Sequence, residues 1–259
     1  MKVIENKIII ITGSSGMFGS KIVDYFLSCG AIVVGLDIRS TNQKSKNFHF
    51  IKCNITNEKD VSNAMSHLLK RNIRPNVLIN NAGVDVPPNS RKRKNDYSFE
   101  KISLNDWNKT HNVNINGVFI CSKIFGEFFS KMKDGVIINI SSIYGIVSPD
   151  NKIYDYLHKK GINFFKPAAY TSSKSSLTGF TKYLGVYWAK KNVRVNCLVM
   201  SGIQNNQDKE FLKAYNHRIP IGRMANADDY FGPLFFLISD MSKYMTGSIL
   251  IVDGGWTAI

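Results

Sequence analysis

Lys7-Ile8-Ile9-Ile10-Ile11-Thr12-Gly13-Ser14-Ser15-Gly16-Met17-Phe18-Gly19 is the stretch on which the reading of this chain turns. Four consecutive isoleucines have the length and branching of a buried strand, and Thr12-Gly13 ends it. Beyond the turn, Ile22, Val23, Phe26 and Leu27 recur at helical spacing, and Ala31 to Leu36 is a second apolar run ending at Asp37. Strand, glycine turn, helix, strand and acid make a βαβ unit of the kind that binds a dinucleotide. Gly13 lets the chain turn off the strand, and Gly19 lets the helix approach the sheet. The helix start offers unpaired N–H groups and a positive dipole end to a pyrophosphate. Asp37 can accept hydrogen bonds from ribose hydroxyls and repels a 2′-phosphate, which predicts NAD(H) over NADP(H); Arg39 weakens that preference.

The alternation continues to the end of the chain. Phe48 to Cys53, Val77 to Ile79, Val136 to Ile140, Val193 to Val199 and Ser248 to Val252 read as strands. Glu58 to Lys70, Leu104 to Met132 (interrupted around Asn114 to Gly117), Ala169 to Ala189, Asp208 to His217 and Ala227 to Ser239 read as helices. The expectation is one α/β domain over residues 1–259, with a Rossmann-like, doubly wound, mainly parallel sheet of seven strands and helices on both faces. Residues 145–168 break the rhythm with Pro149, Gly161, Pro167, Tyr154, Tyr156, His158 and Phe164-Phe165. Loops this long are functional or disordered, and the aromatics argue against disorder. A wall or lid over a substrate is one reading; a surface that packs on a partner subunit is the other.

Composition limits the classes. Apolar residues at 44% and charged ones at 20% fit a soluble globular protein. Cys29, Cys53, Cys121 and Cys197 are scattered without a C-x-x-C, which argues against a metal site or disulfide framework and fits a reducing cytoplasm. The run Ile8 to Ile11 is too short for a membrane span or signal peptide. The formal charge of +15 reads as a lysine-rich surface, with attraction for an anionic substrate as the functional alternative. The one dense basic cluster, Arg91-Lys92-Arg93-Lys94, lies in a loop-like stretch, and no nucleic-acid-binding spacing accompanies it.

Tyr170-Thr171-Ser172-Ser173-Lys174 stacks a phenol and an ammonium on one helix face. Tyrosine titrates near pKa ~10. A neighbouring ammonium favours the phenolate, so the pair is expected to lower Tyr170 into the range of a proton exchanger.

Thr12-Gly13…Gly19, Asp37, Asn80-Asn81-Ala82-Gly83, Asn114, Ser142, Tyr170-x-x-x-Lys174 and Val252-Asp253-Gly254-Gly255 together resemble the short-chain dehydrogenase/reductase family, in order and over essentially the whole chain. The resemblance implies that Tyr170 is the general acid/base and that Lys174 tunes it and bonds the nicotinamide ribose. It implies that Ser142 places the reacting oxygen and that Asn114 holds a water joining Lys174 to solvent. It assigns Gly13, Ser15, Met17, Phe18, Gly19, Asp37, Asn54, Ile55, Asn81, Ala82, Gly83, Tyr170, Lys174 and Ile203 to the dinucleotide, and Ser142, Tyr144, Tyr154 and Tyr170 to the substrate. It also suggests pairing of the apolar helices (Phe119, Phe125, Phe128, Phe129; Leu177, Phe180, Leu184, Val186, Trp188) across a homodimer or homotetramer interface.

Three features depart from the family. Met17 stands where a glycine is usual, Val199-Met200-Ser201-Gly202-Ile203 replaces the usual Pro-Gly, and the stretch between Ser142 and Tyr170 is long. Ser142 to Asp150, Gly222-Arg223-Met224-Ala225 and the ending Asp253 to Ile259 resemble more narrowly the flagellin-modification dehydrogenases of nonulosonic-acid pathways, which implies a sugar or anionic sugar-derived substrate. The competing readings are a 3-oxoacyl-carrier-protein reductase and a dinucleotide-binding scaffold without turnover.

Overall fold

Side chains alternate across a strand, so the isoleucine run is split between two faces. The computed structural model describes residues 4–5, 7–88 and 96–259, and the basic cluster at 91–94 lies outside them. Seven strands form one sheet: β1 (Ile8–Thr12), β2 (Ile32–Asp37), β3 (Phe48–Lys52), β4 (Val77–Asn80), β5 (Gly135–Ser142), β6 (Val193–Met200) and β7 (Ile249–Val252). Their order is β3-β2-β1-β4-β5-β6-β7. Each of the six pairings is parallel, so the sheet is wholly rather than mainly parallel. The order reverses between β1 and β4, and the crevice beyond their carboxyl ends is where such sheets bind ligands.

Ile9 and Ile11 face α1 (Met17–Ser28) and pack with Phe18, Ile22 and Phe26. Ile10 faces the other way, toward Val61 and Leu68 of α2 (Glu58–Lys70). The same face is covered by Phe125 and Phe129 of α4 (Val118–Met132) and Leu184 of α6 (Ala168–Tyr187). Between the packed layers runs a buried polar chain: the Asn80 amide donates to Ser122 Oγ at 3.1 Å and Asn139 Oδ1 at 2.9 Å, and the Asn139 amide donates to Thr181 Oγ1 at 2.9 Å.

The interruption expected inside Leu104 to Met132 is a widened turn, not a break. α3 (Leu104–His111) passes into a π-helical segment, Asn112–Gly117, which passes directly into α4. The stretch 145–168 is ordered. It carries a 3₁₀ turn at Asn151–Tyr154 and the short α5 (Asp155–His158). Its Ile153, Tyr154, Leu157 and Phe164 are buried against Phe211 and Tyr215 of α7 (Lys209–Arg218) and against Trp256. The described residues thus form a third core, rich in aromatics, beside the two that sandwich the sheet. α8 (Phe231–Ile238) completes the α1 side.

α4 approaches the end of α6 closely at Gly126, where an added Cβ would lie 2.2 Å from the Trp188 ring. Gly126→Ala gains up to ~1 kcal/mol of helix propensity but forces the indole aside, and overpacking of this kind costs about 1–3 kcal/mol. The expected net result is a lower urea midpoint with an unchanged slope; an equal or higher midpoint contradicts this account of the contact.

Candidate active site

The carboxyl ends of β1, β4, β5 and β6 open into a cleft with two joined halves. The first, about 570 Å³, is lined by Gly13, Met17, Phe18, Gly19, Asp37, Asn54, Ile55, Asn81, Ala82 and Gly83. The second, about 650 Å³, is lined by Ser142, Tyr144, Tyr154, Tyr170, Lys174 and Ile203. Met17, Phe18, Asn81, Gly83, Val84 and Asp85 border both.

The first half is a close-fitting cradle. Gly13 has φ +67°, and a Cβ on it would lie 2.8 Å from Ala82 Cα; a Cβ on Gly19 would lie 2.0 Å from the Gly13 carbonyl oxygen. No side chain caps the start of α1, so its first N–H groups face the cleft unpaired among the described residues, as an anion site needs. The Thr12 hydroxyl accepts the backbone N–H groups of Asn81 and Ala82, both at 3.0 Å, and the Asn81 amide donates to the Thr12 carbonyl at 2.9 Å. These bonds lock the β4 turn onto the glycine turn. Asp37 is buried, and its two carboxylate oxygens accept the backbone N–H groups of Ser15 and Arg39, each at 2.9 Å. A carboxylate so fixed keeps lone pairs for ribose hydroxyls. The residues present therefore fit a nicotinamide dinucleotide.

Among the residues assigned to the dinucleotide, Ser15 changes place, while Asn54, Met17 and Ile203 stay on the lining. Ser15 does not line the cleft; it tethers Asp37 from behind and donates its hydroxyl to the Arg39 carbonyl at 3.0 Å. The Asn54 side chain is taken up locally, accepting from the backbone N–H and hydroxyl of Thr56. Met17 is 43% exposed at the border of the two halves, leaving its flexible side chain room to turn aside. The Ile203 carbonyl accepts from Gln207 at 2.9 Å, while its side chain borders the second half.

In the second half, Tyr170 and Lys174 rise from the first turns of α6 beside Ser142 at the end of β5. Lys174 Nζ donates to the Ile140 carbonyl at 2.9 Å and lies 5.8 Å from the Tyr170 ring centre. Asn114 is fully buried in the π segment. Its Oδ1 accepts from the Val84 N–H at 2.8 Å, and its amide donates to the Val84 carbonyl at 3.1 Å and to Ser173 Oγ at 3.0 Å. It therefore positions the β4 loop and α6 from behind Gly83 rather than lining the cleft. Tyr144 and Tyr154 are mutually hydrogen-bonded and buried. Sequence reasoning missed Asp85 and Lys166, which meet here, and the apolar lining Met200, Phe211, Tyr215 and Met224. A lone lysine between Phe165 and Pro167, and an acid directly after the Asn-Asn-Ala-Gly turn, were the available signals.

The expected lowering of Tyr170 by Lys174 is not found in the protein chain. Burial first, and the Asp85 charge second, push Tyr170 well above the ordinary tyrosine value, with the Ser142 hydrogen bond acting against them. Lys174 is itself pulled down to about 8, chiefly by burial. Desolvation disfavours both charged forms and is the largest cause of each shift.

This shift has a measurable sign. Unfolded lysine titrates near ~10.4, so between about pH 8 and that value the unfolded chain holds the extra proton and stability rises with pH; below the window the contribution is flat. Lys174→Met removes the group. The urea-derived stability of the wild type relative to the variant should grow by on the order of 2 kcal/mol from about pH 7.5 to about pH 9.5. A constant difference would contradict the lowered value.

The sequence model of a family described as Enoyl-(Acyl carrier protein) reductase matches residues 14–257. A solved short chain dehydrogenase from Leptospira borgpetersenii serovar Hardjo-bovis, with bound NAD+, is 35% identical with a TM-score of 0.87, over 98% of this chain and 94% of that one. Post-translational flagellin modification protein A of Campylobacter coli is 28% identical over 267 residues, 98% of this chain and 99% of that protein. The 3-oxoacyl-[acyl-carrier-protein] reductase of Aquifex aeolicus is 25% identical over 266 residues, 97% of this chain and 98% of that protein. The sheet order, the cradle for a dinucleotide and these matches lead to one conclusion: the chain belongs to the short-chain dehydrogenase/reductase family and is an enzyme of the kind that oxidises CH–OH or reduces keto groups.

Proposed function

We propose that this enzyme uses NAD(H) to interconvert a secondary alcohol and a ketone on a sugar or sugar-derived substrate, anionic derivatives included, in the cytoplasm, and that it serves the building of surface glycans. The observation that carries the chemistry is the Ser142–Tyr170–Lys174 group on the floor of a cleft continuous with the dinucleotide cradle. When bound, the nicotinamide supplies the hydride donor or acceptor. The chain supplies the proton and the placement: Tyr170 exchanges a proton at its phenol oxygen with the substrate oxygen, and Ser142 orients that oxygen. Burial keeps Tyr170 protonated, the form that donates to a carbonyl. Lys174, held by the Ile140 carbonyl, presents its cation beside the phenol and would bond the nicotinamide ribose. The first turn of α1 would receive the pyrophosphate, and Asp37 the adenosine ribose.

The preference for NAD(H) is supported by the fixed, buried carboxylate of Asp37, and weakened by Arg39, which lines the cradle beside it. The glycan role is supported by the likeness to the flagellin modification protein. A cytoplasmic setting is supported by four free cysteines; no described helix is long and apolar enough to cross a membrane. The likeness to the Aquifex protein favours the carrier-protein reductase as the second reading, which calls for NADPH.

A fluorescence titration is expected to show NADH bound at least about tenfold more tightly than NADPH. Tyr170→Phe should keep that binding while turnover falls by about 10²–10⁴. Stronger NADPH binding would favour the carrier-protein reading, and full activity of Tyr170→Phe would remove the proposed proton donor.

The outer faces of α4 and α6 leave Phe119, Tyr183, Val186 and Tyr187 exposed, Val186 by 78%. We propose that they pair with a second copy in a homodimer or homotetramer. Light scattering at micromolar concentration should give two or four times the monomer mass; a monomer overturns this.

A further inference from the structure

We infer that the Asp85–Lys166 ion pair is the substrate-reading element of the cleft and that it takes a pair of adjacent hydroxyls beside the reacting carbon. The inference rests on the oxidoreductase reading above and narrows its substrate class. The two residues are far apart in sequence. Asp85 follows the β4 turn, Lys166 closes the 145–168 stretch, and they meet across the cleft directly over Tyr170.

The pair is built in. The Lys166 side chain is 7% exposed, and its ammonium forms an ion pair with Asp85 Oδ2. That ammonium lies 4.7 Å from the Tyr170 ring centre, nearer than the ammonium of Lys174, and 5.9 Å from the Tyr144 ring centre. Asp85 Oδ1 accepts the Val86 N–H at 2.7 Å. Both carboxylate oxygens are thus held, while the side chain keeps 35% exposure toward the cleft. Among the described residues, Lys166 has no hydrogen-bond acceptor other than Asp85.

The chemistry of the pair selects its ligand. An ammonium has three donors and no acceptor; a carboxylate has only acceptors. Here one of the three donors is used, and each carboxylate oxygen keeps a lone pair. The two charges cancel, so an isolated anion gains little from Lys166 and meets Asp85 beside it. Two neighbouring hydroxyls match both partners at once: one donates to the carboxylate, the other accepts from the ammonium. Charge-assisted bonds of this kind are the strong ones. Asp85, Lys166 and Lys174 are the charged groups among the described residues that line this half, and Lys174 is committed to the floor. The position over the Tyr170 ring puts the hydroxyl pair next to the carbon whose oxygen meets Ser142 and Tyr170.

The test compares NADH-dependent reduction of erythrulose, which carries a vicinal diol beside its ketone, with that of butan-2-one, which has the same carbon skeleton without hydroxyls. Wild type is expected to favour erythrulose in kcat/KM by more than about tenfold, since a site built to bond a hydroxyl rejects the analogue lacking it. Lys166→Met and Asp85→Asn should each bring the ratio close to one, mainly through KM, and Lys166→Met, at a residue outside the dinucleotide half, should leave NADH fluorescence binding unchanged. If neither ketone is turned over, the melting temperature of the NADH-loaded protein decides. A rise with erythrulose in the wild type that both variants lose supports the inference, and no rise overturns it. Unchanged selectivity in the variants overturns it and leaves the pair a tie between two loops. A preference for acetoacetate over erythrulose overturns it in favour of an anion. A wild type that binds no dinucleotide fails the underlying oxidoreductase reading instead, which separates the two failures.

Discussion

A buried carboxamide must satisfy its hydrogen bonds within the protein, and the geometry of this cleft depends on how Asn114 does so. The turn that joins α3 to α4 places that carboxamide between the β4 loop and α6. The π segment widens that turn, and Asn114 then clamps Val84 by both its backbone groups and Ser173 by its hydroxyl. Val84 fixes the border between the two halves of the cleft. Ser173 is flanked by the helix turn that carries Tyr170 and Lys174. One amide therefore sets the distance between the dinucleotide cradle and the proton-exchanging pair. Wide helical turns of this kind are uncommon and concentrate at functional sites.

The same tight construction sets the electrostatics. Removing water from around Tyr170 and Lys174 strengthens every charge interaction and penalises each lone charge. Lys174 is drawn to about 8, so near neutral pH it is a cation that gives up its proton far more readily than a surface lysine. Tyr170 is pushed the other way. The two proton affinities are thus drawn further apart than in water, with Lys174 releasing its proton before Tyr170, so the phenol that meets a substrate oxygen is the protonated one.

The sheet was legible because a parallel strand buried on both faces is written as a continuous branched run, and Ile8 to Ile11 is such a run. The alternation of strands and helices gave the doubly wound class, while the strand order was read only from the folded sheet. The π turn was visible only as an interruption, since periodicity cannot distinguish a widened turn from a break. The spacing of Tyr170 and Lys174 gave their common face but not the dielectric around them, which depends on side chains from β5, the β4 loop and α7; hence the reversed direction of the tyrosine shift. Ser15 was assigned to the dinucleotide by resemblance, whereas the turn sends its N–H back to Asp37. Asp85 and Lys166 escaped notice because they are 81 positions apart and only the folded 145–168 stretch joins them.

That stretch packs with α7, Trp256 and the β6 residues Cys197 and Val199, in a cluster distinct from the two that sandwich the sheet. The substrate wall and the dinucleotide cradle are therefore packed separately, along a boundary between clusters. Substitutions among Tyr154, Phe164, Phe211 and Trp256 can reshape the substrate wall while Asp37, the glycine turn and Thr12 keep their contacts. A chain built this way can acquire a new substrate without rebuilding its redox machinery, and the boundary marks where a designer would graft a foreign wall.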